Sequence, residues 1–235
     1  MVKIQYDNKR DDGFGAQYMG IISVYCYCLI HNEKYIHKKI KNIDYQNHDY
    51  GEYTIDELLC SLNNLIGIPE SEEDGDISYT HILNVYKNPN KYFTDHNLNL
   101  IRDYYNSNSN NITLNQVSIH IRRGDACNEI IRLTSNQRYI NIIHKLLKKY
   151  KQDIHIYSDG KEDELNDLII DDRVKLRLNE DIIKTHNDLV NSEVLVLAKS
   201  CFSYSAALLN RNTVYTVIDP SDNLCHKNLN KWIYI

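Results

Sequence analysis

The sequence predicts an α/β protein in which a mostly parallel sheet is covered by helices on both faces. In the second half of the chain, short runs rich in β-branched residues alternate with runs of helical spacing, which is the pattern of repeated β–α units. The 235 residues are 42% hydrophobic and 25% charged, a composition typical of a folded globular chain. This length suits one large or two small domains.

The N-terminal half is predicted to be the smaller domain, mostly helical or mixed, because polar runs interrupt its apolar pattern. Its expected elements are helices at 15–30, 54–65 and 91–105 and a strand at 34–38. The polar run NSNSNNITLN, residues 106–115, favours a hinge between the two halves. The domains are therefore predicted as 1–112 and 113–235.

The C-terminal half carries the α/β pattern. Its expected strands lie at 116–122, 153–158, 173–178, 193–198 and 212–218, and its expected helices at 136–150, 161–170, 181–191 and 202–210. Ligands of open parallel sheets bind outside the carboxyl ends of the strands. The polar clusters at 122–125, 158–160 and 199–205 are therefore expected at one edge of the sheet.

Composition also limits the class of function. The formal net charge of −5 argues against a general nucleic-acid binder, which needs a positive field over the phosphate backbone. The apolar run at 20–30 is too short to span a bilayer, and the segment before it lacks signal-peptide features, so we expect a soluble, cytoplasmic chain with no transmembrane segment. No metal site is expected, since Asp74-Gly75-Asp76 lies in an acidic run typical of a solvated loop.

The run HIRRGD, residues 120–125, ends the first of the C-terminal strands with two arginines. His120 and Arg122 lie on one face of the strand, because strand side chains alternate. One arginine can fork onto phosphate oxygens while Asp125 fixes the loop or the second guanidinium, that of Arg123. The alternative is an Arg–Asp ion pair that closes the strand end.

The run DDGFGAQ, residues 11–17, places Gly13 and Gly15 just before a helical run. Their backbone N–H groups can approach a phosphate or a sugar closely, although a simple tight turn remains the alternative. A nicotinamide dinucleotide site is not expected, since its fingerprint needs a preceding strand and a third glycine.

The run SEVLVLAKSCFSYSAALLN, residues 192–210, leads from a buried strand through Lys199, Ser200, Ser203 and Ser205 into an apolar helix. Hydroxyls and free N–H groups at a helix N-terminus form an anion site. Simple N-capping is the alternative, but it needs only one of these serines.

Two further clusters are candidates for the same edge. Ser158 and Asp159 are placed to bind a base or a ribose, with an ordinary Asp-Gly turn at Gly160 as an equally weighted alternative. His186 is a candidate donor-binding residue just ahead of the strand at 193–198, with a surface position on a helix as the alternative.

In order along the chain, DGFGAQ, HIRRGD, YSDG and the serine-rich helix start resemble the fucosyltransferase superfamily that shares a His-x-Arg-Arg-x-Asp motif. HIRRGD is fairly specific, and the other motifs support it. The resemblance implies a GT-B-like fold of two Rossmann-like domains, with the N-terminal one reduced in a chain of this length. It also implies an inverting glycosyltransferase that moves L-fucose from GDP-fucose onto a glycan or protein hydroxyl, with no metal or other cofactor.

The resemblance further implies roles for single residues. Arg122 would be the catalytic residue that contacts the β-phosphate, and Arg123 would support the nucleotide pocket, with His120 and Asp125 shaping the motif. The other implied donor-binding positions are Gly13, Phe14, Gly15 and Gln17 in the first loop, Ser158 and Asp159 at the guanosine, and Ser203, Tyr204 and Ser205 at the diphosphate. Ala16 departs from the family, in which several members carry Asn.

Two alternatives stay open at this point. In the first, the chain is a transferase of another nucleotide sugar, such as UDP-xylose. In the second, which the short chain and Ala16 suggest, it is a catalytically silent nucleotide- or glycan-binding module. If the reaction uses a general base, we expect an Asp, Glu or His from the N-terminal half, because the acceptor enters from that side.

Overall fold

The computed structural model describes residues 1–46, 50–77, 79–106, 113–124, 133–219, 221–222, 224 and 227–235. The strands are β1 (Lys3–Gln5), β2 (Lys34–Ile36), β3 (Asp76–Ile77), β4 (Leu114–Ile121), β5 (Ile154–Ser158), β6 (Val174–Leu178), β7 (Ser192–Leu197), β8 (Thr213–Thr216) and β9 (Ile233–Tyr234). The helices are α1 (Phe14–His31), α2 (Ile55–Ile66), α3 (Tyr79–Lys87), α4 (Pro89–Tyr92), α5 (Asp95–Asn106), α6 (Asn136–Lys149), α7 (Glu162–Leu165), α8 (Ile182–Asn191) and α9 (Cys201–Leu209). The α/β class is confirmed.

The larger sheet has the strand order β6-β5-β4-β7-β8-β9, and all its strands are parallel. The chain enters this sheet at β4 and adds β5 and then β6 on one side. It then crosses back, and β7 pairs with the other side of β4. The point where the direction of winding reverses therefore lies between β4 and β7. In doubly wound sheets, ligands bind at this point, outside the carboxyl ends of the strands.

Helices cover both faces of the larger sheet, as predicted. On β7, Val194 and Val196 belong to the apolar cluster that includes α6, whereas Leu195 and Leu197 belong to the cluster that includes α1, α8 and α9. This division follows from the alternation of side chains along a strand. A strand buried on both faces has a nearly continuous apolar sequence, which is why EVLVLA was recognisable.

The N-terminal half contains a parallel sheet with the order β2-β1-β3. Helix α1 connects β1 to β2, so this half also begins with a β–α–β unit. The sequence predicted β2 within the run 34–38 but did not reveal β1, β3 or α3, and β1 is a strand that precedes Gly13. β1 and β3 are so short that they display no alternating pattern.

The helix expected at 91–105 is two helices. Thr94 separates α4 from α5, and its Oγ1 accepts the N–H of Asn97 at 3.2 Å. The Asn97 amide in turn donates to the carbonyl of Tyr92 at 2.8 Å and holds the corner. Local hydrogen bonds of this kind compete with a continuous helix.

Each sheet lies on its own side of the predicted boundary, which falls in a segment (107–112) outside the described residues. One apolar cluster nevertheless contains residues of both halves. The guanidinium of Arg102 on α5 also donates to the carbonyls of Leu208, Leu209 and Asn210 at the end of α9, each at 2.9 Å. None of the described helices combines the length and apolar character needed to cross a membrane.

Candidate active site

The carboxyl ends of β6, β5, β4 and β7 open into a cleft of about 1600 Å³. The N-terminal half forms its opposite wall, including the start of α1. On the side of the larger sheet, the cleft is lined by His120, Arg122, Gly124, Ser158, Asp159, Asn179, Lys199, Ser200, Cys201 and Phe202. Part of each of the three predicted polar clusters therefore reaches this edge.

Two helix N-termini meet in this cleft, those of α1 and α9. At Gly15 in the first turn of α1, a Cβ would lie 2.3 Å from the backbone nitrogen and Cα of Phe202 in the first turn of α9. Only glycine permits so close an approach of the two backbones. Because a helix N-terminus carries positive partial charge, the pair creates a favourable place for an anion.

The caps of these helices differ. Ser200 is the N-cap of α9, and its hydroxyl accepts the N–H of Phe202 at 3.3 Å. Gly13 is the N-cap of α1 and supplies no side-chain cap. Gly13, Phe14 and Gly15 all line the cleft, together with Ala16.

Arg122 leaves the end of β4 and lines the cleft with a side chain that is only 15% exposed. Its Nη1 lies 3.3 Å from Oδ2 of Asp159, and Oδ1 of the same carboxylate accepts the N–H of Arg123 at 2.8 Å. Gly124 has a φ of +37°, and a Cβ there would lie 2.6 Å from Asp159 Oδ2. The tight turn after β4 therefore depends on a glycine and holds Asp159 against Arg122.

His120 lines the cleft beside Arg122 but is almost completely buried. Burial and, to a lesser extent, the Arg122 charge lower the pKa of His120 to about 3, so the ring is neutral at physiological pH. Its Nδ1 has no hydrogen-bond partner among the described residues. A neutral imidazole with an unused nitrogen can donate to, or accept from, a bound molecule.

Arg123 turns away from the cleft. Its Nη2 donates to the carbonyl of Thr134 at 3.1 Å and to Oδ1 of Asn136 at 2.5 Å, and the residue is buried. The structure thus gives Arg123 a role in fixing the segment before α6. Asp125, the last residue of the motif, lies outside the described residues.

Ser203, Tyr204 and Ser205 are not brought to the cleft. All three are fully buried, because α9 is apolar around its whole circumference and only its first turn faces the opening. The Ser203 hydroxyl accepts the N–H of Ala198 at 3.1 Å, and the Tyr204 hydroxyl donates to the carbonyl of Lys227 at 2.5 Å. The preceding residues, from Lys199 to Phe202, occupy the position expected for them.

Gln17 and His186 are also interior residues. The Gln17 amide donates to the carbonyls of Asp12 and Asn42 at 2.9 and 2.7 Å and so joins two loops of the N-terminal half. His186 lies among aromatic rings, with its nitrogens 3.1 Å from the hydroxyls of Tyr105 and Ser205. Burial lowers the pKa of His186 to about 3, so it is a neutral core histidine and not the surface residue of the alternative reading.

Ser158 and Asp159 are both at the cleft, at the end of β5. The Ser158 hydroxyl accepts the N–H of Gly160 at 3.1 Å, which is the local turn that the sequence offered as an alternative. The backbone carbonyl of Ser158 accepts the N–H of Asn179 at 3.0 Å. Asn179 has a φ of +51° and brings a further amide to the end of β6, which the sequence analysis missed.

The sequence analysis also missed a set of aromatic residues on the opposite wall. Tyr50, Tyr53, Tyr79 and Tyr86 line the cleft from the N-terminal half. They come from loops and α3 and share no period. The signal was the number of tyrosines, 19 against three phenylalanines, because tyrosine combines an apolar ring with a polar tip that suits binding surfaces.

Charges are distributed unevenly between the walls. The N-terminal wall carries Asp12, Asp44, Glu52 and Glu57 against one cation, Arg10, which pairs with Asp12 at 2.9 Å. The opposite wall carries the cations Arg122, Arg177 and Lys199 together with the carboxylates of Asp159, Glu180 and Asp181. Within the described part of the chain, no group of three or more His, Cys, Asp and Glu side chains could hold a metal ion.

The sequence matches no protein-family model and no curated protein. Solved structures with some similarity include POFUT1 in complex with GDP, at 11% identity and a TM-score of 0.47 over 90% of this chain and 95% of that chain. Fucosyltransferase NodZ from Bradyrhizobium gives 10% identity and a TM-score of 0.39, over 89% and 92%. E. coli heptosyltransferase WaaC with ADP-2-deoxy-2-fluoro heptose gives 12% identity and a TM-score of 0.41, over 80% of this chain and 51% of that chain. This chain therefore spans about half of the length of the heptosyltransferase. At TM-scores below 0.5, these similarities assign neither a family nor an activity to this chain.

Proposed function

We propose that this chain is a glycosyltransferase whose donor is a nucleoside diphosphate sugar. The observation that carries the proposal is that Arg122 and the N-termini of α1 and α9 line one cleft at the switch point of the larger sheet. Helix N-termini and a guanidinium together favour an anion with several oxygens, and a diphosphate is such an anion.

The neighbouring groups suit the rest of a nucleotide sugar. Ser158 and Asn179 lie at the ends of the next two strands, where a ribose and a base would find hydroxyl and amide partners. The cleft volume of about 1600 Å³ leaves space for a second substrate beside the donor. The tyrosine-lined wall is then the side from which the acceptor approaches.

In the proposed reaction, an acceptor hydroxyl attacks C1 of the sugar from the face opposite the diphosphate. The new C1–O bond forms as the bond from C1 to the β-phosphate oxygen breaks, the configuration at C1 inverts, and the hydroxyl proton passes to a base or to water. Negative charge grows on the departing β-phosphate. Asp159 already holds Arg122 in place, so the Arg122 guanidinium stabilises this charge with little reorganisation.

The finer proposal is that the donor is GDP-fucose, that no metal is required, and that the acceptor is a glycan or protein hydroxyl. It is supported by the resemblance of HIRRGD, in which His120 and Arg122 lie side by side at the cleft. Arg122 and Lys199, the latter paired with Asp222 at 2.7 Å, are cleft cations that would oppose the charge of the leaving group.

Calorimetric titration with GDP, UDP and CMP, each with and without Mg²⁺, tests this proposal. We expect GDP to bind without Mg²⁺ and Arg122→Ala to weaken binding by about tenfold to a hundredfold, because a charge-assisted hydrogen bond is lost. Arg211→Ala is the matched control, since Arg211 is an exposed arginine 3.8 Å from Asp103 and outside the cleft. Its affinity for GDP should equal that of the wild type.

The other outcomes separate the alternatives. Selective binding of UDP would transfer the proposal to a UDP-sugar donor. GDP binding without hydrolysis or transfer of GDP-fucose across a broad set of acceptors would indicate a silent binding module. If none of the three nucleotides binds, the ion pair of Arg122 and Asp159 is structural and the proposal is wrong.

A further inference from the structure

A second opening adjoins the cleft on the N-terminal half. It has a volume of about 330 Å³ and is lined by Tyr6, Asp7, Arg10, Ile77, Tyr79 and Ile82. We call it the side groove. It lies at the carboxyl ends of β1 and β3, the edge of a parallel sheet at which ligands bind.

The side groove adjoins the cleft, because Arg10 and Tyr79 line both. The guanidinium carbon of Arg10 lies 5.2 Å from the centre of the Tyr79 ring. Arg10 is also held by its ion pair with Asp12. These two contacts give Arg10 a defined position at the border of the two openings.

The lining of the side groove offers contacts that the described residues do not use. Ile77 and Tyr79 are 58% and 54% exposed, so both offer apolar surface to a ligand. The buried hydroxyl of Tyr6 has no hydrogen-bond partner among the described residues. Gly20 allows the Tyr6 ring to sit where it does, since a Cβ there would lie 2.3 Å from its Cε2.

The chemistry of these surfaces favours a neutral saccharide. The C–H faces of a sugar ring pack against aromatic rings, and its hydroxyls donate to carboxylates and tyrosine oxygens. The acidic N-terminal wall, with Asp12, Glu52 and Glu57 beside the tyrosines, disfavours an acceptor that carries phosphate, sulfate or carboxylate groups.

We propose that the side groove is a subsite for an extended acceptor, a neutral oligosaccharide whose reacting unit lies in the cleft and whose next unit packs on Tyr79. This inference rests on the proposed function and extends it by naming the substrate class and a residue that selects for chain length. Tyr79 is a specificity residue here, since it lies beyond the reacting atoms.

An array of neutral, sialylated and sulfated oligosaccharides of one to four units, probed in the presence of GDP, tests the inference. We expect binding to neutral chains only, with affinity rising about tenfold from one unit to two or three. Tyr79→Ala should remove this gain with length. Tyr234→Ala is the matched control, because Tyr234 is 50% exposed, has Arg138 at 5.3 Å from its ring centre and lies outside both openings.

The readouts keep the two proposals distinguishable. If GDP binds but no arrayed glycan does, if affinity does not depend on length, or if Tyr234→Ala has the same effect as Tyr79→Ala, this inference is wrong while the nucleotide site stands. Preference for sialylated or sulfated chains would also overturn it. If the wild type binds no nucleotide, the proposed function itself is wrong.

Discussion

At the scale of single residues, the carboxylate of Asp159 fixes Arg122 through a 3.3 Å contact and also accepts the N–H of Arg123. The sequence left two possibilities for HIRRGD, an anion site or an ion pair that closes a strand. The structure contains the ion pair and also places Arg122 at the cleft, so the two roles are compatible. The sequence could not predict that Arg122 faces the cleft while Arg123 bonds to the segment before α6. These positions depend on how the turn at Gly124 directs each side chain.

Arg122→Ala should lower the rate of donor hydrolysis or transfer. We expect a loss of about 2–4 kcal/mol of transition-state stabilisation, comparable to removing one preorganised donor, or about 30-fold to 1000-fold in kcat/KM. Steady-state kinetics with GDP-fucose would measure it. Thermal unfolding of the same variant serves as the control for folding, and an unchanged kcat/KM would remove Arg122 from the mechanism.

His186 makes stability depend on pH. Its pKa is about 3 in the folded chain and near 6.5 when unfolded, so below pH 6.5 the unfolded state binds more protons and folding is weakened as pH falls. Full stability is present above pH 6.5. Between pH 6.5 and pH 5, proton uptake by one such histidine in the unfolded state lowers the free energy of unfolding by about 2 kcal/mol.

Urea unfolding at pH 7, 6.5 and 5 would measure this loss. His186→Gln retains a hydrogen-bonding side chain without a proton to gain, so we expect a smaller decrease in the free energy of unfolding than in the wild type. His144→Gln, at an exposed position on α6, should leave the decrease unchanged. Equal pH dependence in all three proteins would contradict the buried, neutral state of His186.

At the scale of elements, the contact between the first turns of α1 and α9 builds the anion site. Gly15→Ala places a Cβ where the backbone of Phe202 already lies, so the helices must move apart. We expect a loss of about 1–3 kcal/mol in unfolding free energy, as for other overpacked sites, together with weaker GDP binding. Urea unfolding and calorimetry on one sample would measure both.

Gly20→Ala on the same helix is the control for Gly15→Ala. Its Cβ would meet the ring of Tyr6, away from α9. We expect this variant to lose stability but to bind GDP like the wild type. Equal loss of GDP binding in both variants would show that the effect follows from general destabilisation, and that the contact with α9 is not part of the site.

The elements that the sequence could predict are those with enough residues to display a pattern. The strands β4 to β8 and the long helices α1, α2 and α6 were confirmed within a few residues. The short strands β1, β3 and β9 were missed, since they acquire their identity only by pairing with neighbours. The serines of α9 were misplaced because a helix N-terminus exposes only its first turn, and periodicity does not mark where a uniformly apolar helix enters the core.

At the scale of the whole molecule, the carboxyl edges of both parallel sheets border adjoining openings. Tyr53 donates to Asp181 at 2.7 Å and joins the two halves beside the cleft. The sequence predicted the convergence of clusters on the larger sheet because strand direction alone determines it. The tyrosine wall was unpredictable, since it depends on how loops and α3 of the smaller half pack against that edge.

The central claim is that a diphosphate binds at the switch point, between Arg122 and the N-termini of α1 and α9. A crystal structure of the chain with GDP tests it most directly. We expect an oxygen of the β-phosphate about 2.7–3.2 Å from the Arg122 guanidinium, facing the first turns of both helices. A diphosphate bound elsewhere, with the ion pair of Arg122 and Asp159 unchanged, would contradict the account.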